Sequence, residues 1–371
     1  MKKARIIQLS TIIMVIILLV VSIGNVLCYS CSSDEARLKL FYNEEENSMD
    51  LVFFGSSAVR AGYMPTKAYE NYNIKSYNYG VNHMPLPATK YMIQEVLQYQ
   101  SPQVIVIDIN GITYCSQSFT ETKANIFTDS IRAGENKTNA LNDLFGSNRD
   151  WEDEVSFIKY HKNILYLSKC LSYKKCYENY GNNATILKGY TTNPTDIKDF
   201  SEAKLIDPNT LEDVVTFNDY EQKTVDELLD YCDSIKDKVK IVFARFPRVT
   251  IKNFNEWEMG YINAMQLAVE ERGYVYVDFY DYIEDFDLDL AKDFNDDTHL
   301  NVFGAEKFTN FICNYLITNH DLIASEDDSK WEQCVSYANE YYEHIKESTI
   351  NKEGKEFYEF ELAKTLGVYG V

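Results

Sequence analysis

Leu51-Val52-Phe53-Phe54-Gly55-Ser56-Ser57 is the stretch whose reading decides the architecture. Four apolar, β-favouring residues closed by a glycine read as a strand buried on both faces, the kind found inside parallel sheets. The strand runs straight into a Gly-Ser-Ser turn, so a serine hydroxyl stands at its tip.

The same rhythm continues outward from this strand. Residues 74–79 form the next strand and stop at Gly80. Residues 87–100 carry apolar positions at helical spacing (Ala88, Tyr91, Met92, Val96, Leu97) behind a proline in the first turn. Residues 104–107 are a continuous apolar strand that runs through Asp108 and ends by Gly111. Later come a strand over 239–246 closed by Pro247, a helix over 256–272 ended by Gly273, and a strand over 274–279. A helix over 302–319 follows, capped by Asn301. Alternating strands and helices predict a parallel sheet with helices on both faces.

The block 112–238 breaks the rhythm. It is polar and mostly helical in pattern, with one apolar stripe of Trp151, Phe157, Tyr160, Ile164 and Leu167, and reads as a lid-like insertion over the sheet. The expected organisation is therefore 1–31 as a transmembrane anchor or signal and 32–48 as a polar linker. Residues 49–111 and 239–320 are two parts of one α/β domain, 112–238 is the helical insertion, and 321–371 is a C-terminal helical tail.

At the N-terminus, Lys2, Lys3 and Arg5 precede an apolar run long enough to cross a bilayer. The leading positive charges favour a cytoplasmic N-terminus, with the remainder outside. Two readings stand, an uncleaved anchor and a signal peptide cut near Cys28 or Ser30; the length favours the anchor. The expected location is the cell membrane, single-pass, with the folded domain extracytoplasmic.

The chain has 371 residues, 45% hydrophobic and 25% charged, as in ordinary globular proteins, but its formal charge is −21. That surplus of carboxylates excludes a nucleic-acid partner, because phosphate backbones are held by Lys and Arg excess. The 29 Tyr and 20 Phe are high counts; Tyr-rich surfaces serve carbohydrate or protein contacts, but compositional bias is the favoured explanation. The eight cysteines are scattered; they read as free buried thiols, with Cys170 and Cys176 near enough in sequence to pair.

The chemistry gathers in three places. Groups on an open parallel sheet collect at the carboxyl ends of the strands, which here carry Ser57, Gly80 and Asn110. Far downstream stands Asp296-Asp297-Thr298-His299, in a chain with only five histidines. A serine, an imidazole and a carboxylate are the parts of a hydrolytic triad. Ser57 is the expected nucleophile, His299 the base, and Asp296 the group that orients the imidazole. The backbone N–H groups of Ser57 and Gly80, with the Asn110 amide, would form the oxyanion hole. His83 is a candidate pocket residue or a loop histidine bonded to backbone. Arg245 and Arg248 would contact substrate or neutralise nearby carboxylates.

Residues 284–297 are strongly acidic, and Asp293, Asn295 and Asp297 have the spacing of a calcium loop. The sixth position is Thr298 rather than glycine and the twelfth is Gly304 rather than glutamate, so no metal site is expected. No phosphate loop or His-Glu-x-x-His motif occurs, and no cofactor is expected. The acidic rim would favour neutral glycans or cationic groups over a phosphate-rich polymer.

These motifs resemble the SGNH (GDSL-like) hydrolase superfamily. Gly55-Ser56-Ser57-Ala58 is similar to its first block, Tyr77-Asn78-Tyr79-Gly80-Val81 to its second, and Asp296 to His299 to its last. Two departures stand out: Ser56 replaces the usual Asp, and Asp108-Ile109-Asn110-Gly111 replaces Gly-x-Asn-Asp. The resemblance covers about 49–111 and 239–316 and is nearest to membrane-anchored Firmicutes members, akin to D-alanyl-transfer proteins and partners of membrane-bound O-acyltransferases. It implies a flavodoxin-like three-layer α/β/α fold with strand order 2-1-3-4-5. It also implies a serine esterase or acyltransferase acting on acetyl or D-alanyl esters of an acylated cell-surface glycan. The alternative is a non-catalytic SGNH-fold partner of a membrane-bound O-acyltransferase. A glycan-binding module is a third reading, which leaves the Asp-His pair unexplained.

Overall fold

The computed structural model describes residues 2–27, 32–154, 156–191 and 197–351. Five strands, β1 (Leu51–Gly55), β2 (Ser76–Gly80), β3 (Val104–Asp108), β4 (Lys240–Arg245) and β5 (Val275–Asp278), form one sheet in the order 2-1-3-4-5. Every pairing is parallel, with Leu51 in register with both Ser76 and Val104. The expected α/β class and strand order are therefore present.

Alternation along the strands sorts the core into two layers. Val52, Phe54, Ile105, Ile107 and Phe243 face one hydrophobic cluster. Leu51, Phe53, Val104, Val106 and Ala244 face the other. In β1 and β3 both faces are buried, so these strands carry no polar side and read as unbroken apolar runs.

The helices follow in chain order. An apolar helix α1 (Lys2–Leu27) is followed by α2 (Ser33–Leu40). After β1 come α3 (Ser57–Gly62) and α4 (Pro65–Tyr72), and after β2 comes α5 (Leu86–Leu97). The insertion holds α6 (Gln117–Lys123), α7 (Asn125–Thr128), α8 (Glu135–Phe145), α9 (Ser156–Lys159) and α10 (Leu167–Leu187). Then come α11 (Asp219–Ile235), α12 (Glu258–Glu271), α13 (Val302–His320) and α14 (Ser329–Asn351). Helices α5, α11 and α12 cover one sheet face; α3, α4, α13 and α14 cover the other.

Within α1, Arg5–Gly24 is long and apolar enough to cross a membrane, and Arg5 to Ile23 is exposed throughout. The segment 32–48, expected as a linker, instead contains the packed helix α2. Its Ser32 hydroxyl caps the first turn at Glu35 N, and Asp34, Arg37 and Leu38 are all buried. Arg37 pairs with Asp34 and donates to Gly189 O at 2.8 Å, while Tyr77 Oη donates to Arg37 O at 2.8 Å. Buried charge is tolerated here because the Arg37 guanidinium is paired with Asp34 and with backbone carbonyl, only its Nε lacking a partner among the described residues.

The block 112–238 divides at Asn218. Asn218 and Glu221 form a reciprocal capping box that starts α11. Val225, Leu228, Leu229 and Cys232 of that helix then fill the sheet core. It is the crossover helix before β4, so only the part before it is insertion. Cys170 is a free buried thiol; the Cys176 side chain and the tail beyond 351 lie outside the described residues.

Asn78 in β2 fastens α3 to the sheet. Its Nδ2 donates to Val59 O and Tyr63 O, both at 2.8 Å, and its Oδ1 accepts from Gly80 N at 3.1 Å. Loss of a fully buried, fully paired amide leaves backbone groups without partners. Asn78→Ala is expected to destabilise the domain by about 2–4 kcal/mol in denaturant titrations of the detergent-solubilised chain. A loss below about 0.5 kcal/mol would show that the amide does not hold this helix.

Candidate active site

In the order 2-1-3-4-5 the chain reverses direction between β1 and β3, and the crevice of such a sheet opens at the carboxyl ends of those two strands. The two strands leave the sheet very close together. A Cβ on Gly55 would lie 2.5 Å from Asp108 Cβ and 2.8 Å from Val59 Cγ2, and its φ is +154°, so only glycine fits.

That closeness lets Asp108 reach across the crevice. Its Oδ2 accepts from Ser56 Oγ at 3.1 Å, and its Oδ1 accepts from Asn110 Nδ2 at 2.7 Å. Complete burial pushes its carboxyl up to about 6, against the Ser56 donors and the Arg248 charge, which act to lower it. Asn110 Oδ1 in turn accepts from Arg248 Nη1 at 3.1 Å, and Arg248 pairs with Glu258. The Asn110 amide is thus held in one orientation, with one of its two N–H bonds committed to Asp108.

Ser57 opens α3 at the tip of β1, with 6% of its surface exposed and no hydrogen-bond partner for its hydroxyl among the described residues. On the loop before α13, Asp296 grips His299. Its two carboxylate oxygens lie 2.8 Å from Nδ1, and Oδ1 also accepts the backbone N–H of Thr298 and of His299, each at 2.9 Å. Burial acts to raise the Asp296 carboxyl, but the His299 bond and charge and the Thr298 donors outweigh it and bring it down to about 2. His299 Nε2 is buried and has no partner among the described residues. A carboxylate on Nδ1 fixes the tautomer with Nε2 as the acceptor, the state a general base needs.

The two loops share neighbours. Leu300 packs within 4.0 Å of where a Cβ on Gly62 would lie, so the His299 loop abuts helix α3. Arg60, one turn beyond Ser57, feels the charges of Asp34 and Asp296, and His83 feels those of His299 and Arg60. Asp34 Oδ2 accepts from Asn82 N at 3.2 Å, which carries α2 to the same edge.

The other sequence-derived candidates fare differently. Gly80 N–H donates to Asn78 Oδ1, so it is not free for an oxyanion; the glycine is needed instead because a Cβ there would lie 2.7 Å from Arg60 N. Arg245 is committed at both terminal nitrogens, its Nε being buried without a partner among the described residues. It is 1% exposed, pairs with Asp278 at 3.1 Å and donates to Thr250 at 3.3 Å, so it neutralises a carboxylate, and Arg248 is the arginine that meets Asn110. His83 sits at the exposed rim with φ +51°, its ring 5.6 Å from that of Tyr114. Partial burial and the Lys123 charge hold its pKa below the ordinary value. In the acidic stretch, Asp293 is buried and accepts from Lys307 Nζ at 2.8 Å and Asp289 N at 2.7 Å.

Sequence reading missed Arg60 and the Ser56–Asp108 contact. Arg60 Nε is buried without a partner among the described residues, which leaves a donor on the helix that Ser57 opens. Its position in the sequence, three residues after Ser57, was the available signal. The insertion reaches this edge through Tyr114, whose ring stacks on Phe119 of α6 at 5.5 Å.

Compared with known proteins, the sequence matches no family model and no curated protein.

Asp108 gives the crevice a pH signature. Its folded pKa lies above the unfolded value of 3.8, so its contribution is fully present below about pH 4 and is lost as pH rises through about 6. The melting temperature of Asp108→Asn is expected to change less than that of the unsubstituted chain between pH 4 and pH 6. Parallel melting curves across that window would show that Asp108 does not titrate there.

Proposed function

We propose that the chain is an extracytoplasmic serine esterase or O-acyltransferase of SGNH type, acting on acetyl or D-alanyl esters of a cell-surface glycan. The observation that carries this reading is the His299 imidazole, gripped at Nδ1 by Asp296 while its buried Nε2 has no partner among the described residues. An oriented base with an unused nitrogen, on a loop that abuts the helix opened by Ser57, is suited to proton transfer.

In this reading Ser57 Oγ attacks the ester carbonyl as His299 Nε2 takes its proton, and Asp296 stabilises the resulting imidazolium. The oxyanion is met by the Ser57 N–H and the uncommitted N–H of Asn110, with Arg60 as a further donor. The imidazolium returns its proton to the leaving sugar oxygen, and the acyl group remains on Ser57. Water or an acceptor hydroxyl, deprotonated by His299, then releases it. Each acyl group moves between two oxygens, with no net oxidation and no cofactor.

The membrane bears on the substrate. Taking α1 as a single-pass anchor, only seven residue steps separate Leu27 from Asp34 at the crevice edge, a reach of at most about 25 Å. An acyl group carried on a membrane-proximal glycan or lipid fits that reach. A second reading, a non-catalytic partner of a membrane-bound O-acyltransferase, is favoured by one observation: the Gly80 N–H is already bonded, which thins the oxyanion hole.

A fluorophosphonate probe is expected to label the full chain in membranes, and Ser57→Ala or His299→Ala to abolish labelling. Hydrolysis of 4-nitrophenyl acetate is expected to fall by about a thousandfold or more in Ser57→Ala. A folded chain that resists the probe, or a Ser57→Ala variant that labels equally, would exclude the enzyme reading and favour the partner.

A further inference from the structure

A second surface of this molecule carries its own argument. Four consecutive apolar residues in the insertion point outward: Ile164 is 54% exposed, Leu165 79%, Tyr166 63% and Leu167 42%. Leu171, one turn further along α10, is exposed as well. Single exposed apolar side chains are ordinary, but a contiguous run marks a contact surface.

Its surroundings identify the occupant. The segment packs on the outer end of α1, where Asn163 Nδ2 donates to Leu27 O at 3.0 Å. Gly24 and Leu27 are buried there, whereas α1 is bare from Arg5 to Ile23. The helix therefore leaves its apolar surroundings at about the level where Asn163 meets it. Ile164 to Leu167 continue from that point. Tyrosine and leucine beside the end of a spanning helix suit the headgroup–acyl boundary.

Charge points the same way. In a chain of formal charge −21, residues 155–177 hold no Asp or Glu but carry Lys159, Lys162, Lys169, Lys174 and Lys175. Lys159 is paired with Asp129, whereas Lys162 and Lys169 are exposed beside the apolar run. A basic flank on an apolar surface is the pattern that binds anionic lipid.

We propose that the surface formed by Ile164, Leu165, Tyr166, Leu167 and Leu171, flanked by Lys162 and Lys169, docks on the outer leaflet of an anionic lipid bilayer as a second membrane contact beside α1. Two contacts fix the tilt of the domain, where a single helix leaves it free to swing. The α10 helix packs on α2, and α2 meets the crevice edge at Asn82, so docking holds the candidate active site at a set height above the lipid. This inference does not rest on Ser57 being a nucleophile.

The test uses the full chain reconstituted in vesicles of phosphatidylglycerol and phosphatidylcholine, with Leu165→Trp compared with the unsubstituted chain and with Val214→Trp, another exposed apolar site. The tryptophan added at 165 is expected to lose at least half of its emission when the acyl chains are brominated, and to be shielded from iodide. The tryptophan added at 214 is expected to show the reverse. Emission at 165 that ignores brominated lipid overturns the proposal: iodide access would mean the surface faces water, and shielding from both would mean that protein covers it. Tyr166→Trp repeats the measurement should Leu165→Trp fold poorly.

Discussion

The Asp108 carboxylate, buried between the ends of β1 and β3, ties together the two loops that border the crevice. It accepts from Ser56 on one side and from Asn110 on the other, and Asn110 extends the network to Arg248 and Glu258. The contact exists only because Gly55 lets the two strands approach within the space of a missing methyl group. A buried carboxylate is costly unless its donors are complete. Here one donor is Ser56, next to the proposed nucleophile, and the other is Asn110 on the neighbouring loop, so the sheet switch point and the position of Ser57 share one interaction.

Strands β1 and β3 were legible because both their faces are buried, leaving the unbroken runs Leu51–Gly55 and Val104–Asp108. The Asn301 cap and the Asp296–His299 pair were legible because their partners lie within three residues in the chain. Long-range pairing was not. Asp34 and Arg37 look like the charges of a solvated linker until Asn82 and Gly189, distant in sequence, supply their partners. Gly80 was expected to offer an amide to substrate, but the Asn78 side chain folds back onto it. Arg245 closes β4 and Arg248 lies three residues further on, in the loop that follows, and only the fold decides which of them faces Asn110.

The boundary of the insertion was misplaced for a related reason. Helix α11 carries a polar outer face, so its composition resembles the insertion, yet its inner face of Val225, Leu228 and Leu229 belongs to the sheet core. What remains of the insertion is a bridge between three things: the end of α1, the buried helix α2, and the rim beside His83. The apolar helix and the crevice are thereby linked through packed elements rather than a flexible tether. Within the enzyme reading, this packing explains how a serine could work close to the membrane surface without a long stalk.

The central claim is that the Ser57 hydroxyl and the free nitrogen of His299 share one proton path. A crystal structure of the detergent-solubilised full chain measures it directly. The account predicts Ser57 Oγ within about 3.5 Å of His299 Nε2, or joined to it by one ordered water. A gap of more than about 6 Å, too wide for a single bridging water, with the Asp296–His299 pair intact, would contradict it.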